Sequence, residues 1–337
     1  MSAGAGTRRP RIAFWSQPEY FRFMYEHDLD DFADVFELKM RIGMTLADFA
    51  PLIEFAPDYT FFFRGEYAPR DVLERLGGVK VALSSEPFPR YVEGRREQTA
   101  DSVARYHVFR PIRNLPFDYV FHYDAASLPF FEEDGLHLSG HFAFPAATSV
   151  YRRRPVPQPW DVFFIGRSTA HRERFFGALK HYKQFLHICH GVWGPALVDH
   201  MCAAKVCLNV HAENEVSWEP RMQMMLACGV FVVSERITPN PYLRPGVDYV
   251  QADSPPMMYE AVEHYLADDA ARERIAASGA ARVRELLDAR TRFADLVAGI
   301  EAGRFERFRA GRPSAALTLA HSTRTRWNQL KSRLRLR

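Results

Sequence analysis

Arg221-Met222-Gln223-Met224-Met225-Leu226-Ala227-Cys228-Gly229-Val230-Phe231-Val232-Val233-Ser234 is the stretch that decides the fold. Its first half packs small and apolar residues at helical spacing. Gly229 then ends the helix, because a left-handed C-terminal turn costs glycine little, and the apolar run that follows suits a strand buried on both faces. Taken alone, this is one helix-glycine-strand corner of a Rossmann-type unit, a structural feature that many folds share.

Outward from that corner the same grammar repeats. Short apolar runs bounded by turn residues alternate with segments of helical period, the pattern of parallel sheets covered by helices. Upstream in the same half, strands are predicted at Trp160–Ile165, 185–189 and 206–210, with helices at 171–182, 195–203 and 220–227. Downstream, a strand at 249–251 precedes one or two closing helices over 257–287. The N-terminal half predicts strands at 11–15, 35–38, 59–63, 80–84 and 119–122, with helices at 49–55 and 70–76. Between the halves, FPAATSVYRRRPVPQP (144–159) combines small residues, an arginine triplet and prolines, none of which continues a helix or a central strand. The expected organisation is therefore α/β, with two tandem Rossmann-like domains facing a central cleft. Residues 1–146 form the first domain, 147–159 the linker, 160–300 the second domain, and 301–337 a C-terminal helix and basic tail.

Length agrees, since 337 residues exceed what one core ordinarily holds. With 47% hydrophobic and 25% charged residues the chain has ordinary globular composition, and a net charge of +3 is too small for a general nucleic-acid binder. The cysteines, Cys189, Cys202, Cys207 and Cys228, show no C-x-x-C pair and no zinc spacing, which reads as a reduced, cytoplasmic protein. No leader-like apolar region opens the chain, and no apolar run reaches the ~20 residues of a membrane span.

The opening stretch resembles the signature of group 1 glycosyltransferases, and especially of the spore-maturation-protein-like subgroup, approximately R-x-F-E-A-L-A-C-G-x-x-x-V-S. Four more matches stand in the expected order: WDVFFIGRS (160–168), GVWG (191–194), CAAKVCLNVH (202–211) and LRPGVDYV (243–250) followed by an Ala/Glu/Arg-rich helix. The resemblance covers about 160–287. It implies the GT-B fold, a nucleotide-sugar donor in the C-terminal half, no essential metal and no cofactor, the nucleotide-sugar being a substrate.

A nucleotide diphosphate is a dense anion, so its site needs backbone N–H groups at glycine turns or helix starts together with a cation. Gly166-Arg167-Ser168 offers both after a strand; Arg167 either contacts the diphosphate or caps the loop. The resemblance puts the base at His190–Gly194, where Gly191 supplies backbone groups and Trp193 either stacks or fills a hydrophobic shelf. Asn209 and His211, at the end of the next strand, join the donor-binding set. In HAENEVSWEPR (211–221), Glu219 and Arg221 are the candidates for sugar and anion contact; Glu213 and Glu215 read equally as a solvated acidic loop. One departure stands out: Met224 replaces the family's glutamate, which holds the ribose hydroxyls, and methionine cannot accept those bonds as a carboxylate does. Gln223 points elsewhere on the helix, which leaves the ribose to Glu219 or Glu235, or leaves the nucleotide more weakly held.

The N-terminal half should present the acceptor and any base. The candidates at its strand ends are Trp15-Ser16-Gln17, Arg64-Gly65-Glu66, Ser85-Glu86-Pro87 and His122-Tyr123-Asp124. Among them Glu86 and Asp124 are the candidate catalytic carboxylates, each also read as a turn residue bonding its own backbone. Asp28-Leu29-Asp30 matches the letters of a metal-binding D-x-D but sits in a polar loop. At the other end, 322–337 carries six cations and no acid, with Trp327, Leu330 and Leu334 at helical spacing. It reads either as a solvated terminus or as an amphipathic helix in peripheral contact with an anionic membrane. The function expected is glycosyl transfer to an unidentified acceptor, without nucleic acid as partner. A GT-B nucleotide-sugar epimerase or hydrolase and a non-catalytic scaffold are the alternatives.

Overall fold

Strands β1 (Arg11–Ser16), β2 (Asp34–Lys39), β3 (Tyr59–Phe63), β4 (Val79–Ser84), β5 (Tyr119–His122) and β6 (Gly140–His141) form one parallel sheet in the order β2-β1-β3-β4-β5-β6. The structure, a computed structural model, describes residues 8–213 and 218–315. All five residues of β3, YTFFF, are buried. Side chains alternate between faces along a strand, so Phe61 and Phe63 join one core cluster and Phe62 the other. The core so formed is strongly aromatic: Phe14 stacks on Tyr25 with ring centroids 3.9 Å apart, and Phe21 on Phe63 at 4.7 Å.

The second sheet contains β7 (Trp160–Ile165), β8 (Phe185–Ile188), β9 (Ala204–Asn209), β10 (Phe231–Ser234) and β11 (Val250–Gln251), again parallel, in the order β8-β7-β9-β10-β11. Helix α1 (Ala170–Tyr182) crosses from β7 to β8, α2 (Gly194–Cys202) from β8 to β9, and α3 (Arg221–Ala227) from β9 to β10. Gly229 closes α3 at φ 63°, the left-handed turn its place in the sequence predicts. Helices α4 (Pro255–Ala267) and α5 (Asp269–Leu286) cover this sheet. At Gly279 of α5, an added Cβ would lie 2.5 Å from the Asp248 carbonyl and 2.7 Å from Leu226, so the missing side chain is what lets α5 lie close against α3.

The chain order reverses beside the first strand of each sheet, between β1 and β3 and between β7 and β9. Open α/β sheets bind ligands outside the carboxyl ends of strands at such points. Here the ends of β1, β3, β4, β7 and β8 all reach one cavity between the domains.

One boundary differs from expectation. A third closing helix, α6 (Ala289–Glu301), belongs to the first domain rather than the second, because Phe293 packs on Phe14 (5.4 Å), Phe61 (5.1 Å) and Phe142 (5.5 Å). After α6, Arg309–Ala310 pairs antiparallel with Leu136–His137 of the first domain, and the expected C-terminal helix falls beyond 315, outside the described residues. The two crossings are paired as well, with Ala146 N–H donating to Leu287 O (2.8 Å) and Ala289 N–H to Ala146 O (3.0 Å). Asp28 helps pin the linker by accepting from the backbone N–H groups of Thr148 (2.7 Å) and Ser149 (3.0 Å), which gives this member of the D-x-D match a structural task. The basic stretch 322–337 lies outside the described residues.

Candidate functional site

The interdomain cavity holds about 1150 Å³. Its C-terminal wall is built from the loops after β7, β8 and β9. Gly166 follows β7 at φ 140°, and a Cβ there would lie 3.2 Å from both the Arg172 guanidinium and the Phe164 ring, so glycine alone fits. Thr169 caps α1 by accepting from Arg172 N–H (3.2 Å). The Arg172 side chain, only 2% exposed, then turns inward.

Arg172, which lines the smaller cavity beside the main one, and Arg221, which lines both, converge there. Arg172 donates through Nε to Val210 O (2.9 Å), through Nη1 to Arg167 O (2.9 Å) and through Nη2 to Glu219 (3.2 Å). Arg221 donates to the same Val210 carbonyl (3.0 Å) and the same carboxylate (2.6 Å). Both guanidiniums lie over the Phe164 ring, at 5.0 and 4.9 Å. Burial, reinforced by the Arg221 charge, pushes the Arg172 pKa down to about 10. Burial would raise the Glu219 carboxyl, but Arg221 and Arg172 together outweigh it and hold that group below its ordinary range. One carboxylate between two guanidiniums leaves a net positive charge at the cavity wall, which an anionic ligand would neutralise.

The remaining sequence candidates divide. Arg167 is exposed beside this pair and lines an adjoining cavity of about 320 Å³. Gly191 and Trp193 line the main cavity, Trp193 being 49% exposed. His211 lines the smaller one, with its ring nitrogen Nε2 2.8 Å from Arg236 O, and burial lowers its pKa. Asn209 does not reach either cavity: it is fully buried and donates to Ser234 Oγ (2.9 Å). Glu235 is likewise committed elsewhere, to His171 Nε2 (2.8 Å) and to the N–H of His211 (2.7 Å). Met224 faces the cavity, while Gln223 turns away to donate to Phe144 O (3.0 Å) and accept from Trp218 (2.7 Å).

On the N-terminal wall Glu86 lines both cavities and accepts from Arg64 (2.8 Å) and Arg105. Asp124 is not a cleft carboxylate. It is 5% exposed, caps the turn after β5 by accepting from Ala126 N–H (2.9 Å), and pairs with buried Arg90 (3.1 Å). Burial raises its pKa against the pull of Arg90. The bonding of its own turn, which competes for every strand-end aspartate, prevails here. Among the described residues no three His, Cys, Asp or Glu side chains come together as a metal site.

Arg64, one of the strand-end candidates, follows β3 in the left-handed region (φ 62°), a strained conformation of the kind that collects at functional sites. Arg172 escapes the sequence reading but leaves a trace, since a cation in the first turn of α1 sits at the positive end of the helix dipole, where carboxylates are favoured.

Residues 163–298 match the family described as glycosyl transferase-like. The matched stretch spans the Arg172–Arg221 pair and ends within α6. No curated protein sequence matches the chain. Among solved structures, the fold is similar to Anabaena HepE in complex with UDP-glucose, at TM-score 0.58 and 10% identity over 87% of this chain and 100% of that one. It is similar also to sucrose-phosphate synthase from Thermosynechococcus elongatus, at 0.56 and 10% over 88% and 100%. An alpha-glucosyltransferase in complex with UDP and a 13-mer DNA aligns at 0.58 and 11% over 87% and 100%. These likenesses confirm the GT-B fold. Among its described residues no helix is long and apolar enough to cross a membrane.

Proposed function

We propose that the chain transfers a glycosyl group from a nucleotide-diphosphate sugar to an acceptor hydroxyl across this cavity. The observation that carries the reading is the pair of buried guanidiniums, Arg172 and Arg221, sharing one carboxylate and one carbonyl at the C-terminal wall. In the reaction the bond from the anomeric carbon to the diphosphate oxygen breaks, a bond from that carbon to the acceptor oxygen forms, and the acceptor proton passes to solvent. Charge develops on the departing nucleoside diphosphate, and fixed cations stabilise it without reorganising. Arg167, beside the pair, adds a third. Gly191 and Trp193 take the base side, and the backbone at Gly166 approaches the diphosphate. Glu219 holds the arginines in place. Glu86, already accepting from two guanidiniums, orients the acceptor rather than taking its proton. No cofactor enters, since the nucleotide-sugar is consumed.

Titration calorimetry with UDP, dTDP, GDP and ADP tests the reading: one of them should bind, and binding of none would remove it. Analysis of a donor incubated without acceptor separates transfer from epimerisation or hydrolysis. The segment 322–337 is a second, separate part of the reading, as a basic contact to anionic lipid at the cytoplasmic membrane face. Vesicle co-sedimentation with and without residues 322–337 decides it, equal and salt-insensitive recoveries counting against it.

A further inference from the structure

The two walls of the cavity carry different charge. Among the described residues lining the main cavity and the smaller one beside it, the charged side chains of the C-terminal side are Arg167, Arg172 and Arg221 with Glu213 and Glu219. On the N-terminal side four cations, Arg22, Lys39, Arg64 and Arg105, are matched by four carboxylates, Glu19, Glu26, Glu86 and Asp101. Those cations are held in ion pairs within their own domain: Arg22 with Glu37, Lys39 with Glu19, Arg64 with Glu86, and Arg105 with Glu86 and Asp101. A phosphate or carboxylate arriving at this wall would have to break such a pair to gain its own, a near-even exchange at best. The wall therefore offers little net attraction to an anion.

What it does offer is a ring and a hydroxyl. Tyr20, on the short helix after β1, is 65% exposed although it lines the cavity, an aromatic face left open toward the ligand space. Gln17, at the end of β1, adds an amide to the same lining. Ser85, at the end of β4, lines both cavities, and its Oγ is buried without a hydrogen-bond partner among the described residues. A buried hydroxyl left unpaired is costly, so it marks a place where a ligand polar group regains that loss.

We infer that the acceptor is a neutral saccharide, seated on Tyr20 with its hydroxyls meeting Ser85 and Gln17, and not a phosphorylated sugar or a lipid phosphate. A sugar ring presents an apolar C–H face to an aromatic ring and hydroxyls at its edge, which is the pairing of surfaces this wall provides. The inference rests on the glycosyl-transfer reading, because that reading makes the N-terminal wall the acceptor side.

The test uses the full chain, saturated with whichever nucleoside diphosphate calorimetry shows to bind. Maltotriose, cellotriose and chitotriose are compared with glucose 6-phosphate and with vesicles containing a polyprenyl phosphate, by saturation-transfer NMR for the sugars and co-sedimentation for the vesicles. At least one neutral trisaccharide should bind. Tyr20→Ala should weaken it tenfold or more and Ser85→Ala about fivefold, both leaving nucleotide affinity within twofold. Binding of the phosphorylated probes alone, binding of no probe, or a trisaccharide affinity unmoved by Tyr20→Ala would overturn the inference. If no nucleotide binds, the transfer reading fails on its own, and the saccharide arm, run on the free protein with the same variants, still decides whether this wall holds a neutral sugar.

Discussion

The two domains share a fold plan and differ in how they spend their arginines. The C-terminal domain buries Arg172 and Arg221 against one carboxylate and leaves a positive surplus facing the cavity. The N-terminal domain neutralises its cavity cations locally and relies instead on an aromatic core that borrows a helix from the end of the chain. One wall is thus built to hold an anion and the other to hold its own shape. The largest expected effect tests that second half. Phe293→Ala removes the ring that α6 inserts among Phe14, Phe61 and Phe142. A buried phenylalanine truncated to alanine costs about 3–5 kcal/mol, read in urea denaturation of the full chain. A loss under about 1 kcal/mol would mean that α6 is not part of the first domain's core.

The next effect breaks the comparison directly if it fails. Arg172→Ala should weaken nucleoside diphosphate binding roughly 100-fold, on the order of 2–3 kcal/mol for a charge-assisted contact in a shielded site. Arg64→Ala, on the opposite wall, should change it less than threefold. Calorimetry on both variants measures the contrast, with circular dichroism confirming that each is folded. Equal losses would show that the anion lies across both walls and that the division between them is wrong.

How far each wall was legible follows from the same chemistry. The C-terminal elements read well because apolar periodicity and glycine turns are local signals: β7 is found at Trp160–Ile165 as expected, and α3 ends at Gly229. The N-terminal strands were legible too, but the sheet that α6 packs on was not, because a helix carries no local mark of which sheet its apolar face will meet. Site residues were legible where backbone geometry demands a residue type, as at Gly166, and where the family resemblance marks a position, as at Glu219 and Arg221. Asp124 looked like Glu86 in sequence, yet one caps its own turn beside Arg90 and the other reaches the cavity, a difference set by a partner 34 residues away. Arg172 was hidden because its partners, Val210 and Glu219, are brought to it by the crossover from β9 to α3.

Acid should find the N-terminal domain first. His122, buried beside Phe88 and near His141, has its pKa pushed down from 6.5 to about 3, burial being the main cause and the His141 charge the second. The folded chain refuses a proton that the unfolded chain accepts below about 6.5. Stability is therefore full above that pH and falls as the pH drops toward 3, by about 1.4 kcal/mol per pH unit for one such group. Urea midpoints at pH 6.5 and 5.5 should differ by about 1 kcal/mol more in the wild type than in His122→Asn. Parallel slopes would show that this imidazole takes up its proton in the folded state.

The smallest effect has the most informative sign. Met224 lies on α3 one turn beyond Arg221, half-buried and facing the cavity. Met224→Glu places a carboxylate there. If the ribose lies over this turn, its hydroxyls donate to the new oxygens; after desolvation of the carboxylate the gain is about 1 kcal/mol or less, roughly a three- to fivefold tighter nucleotide. The same variant should show no gain with the 2′-deoxy nucleotide if the 2′-hydroxyl is the donor. If the ribose lies elsewhere, the added charge draws on Arg221 and repels the diphosphate, and affinity falls for both nucleotides alike. A fall would mean that the donor enters the C-terminal wall in a different pose, with Met224 against an apolar part of the ligand, and the surplus charge at Arg172 and Arg221 would then be the only contact the two poses share.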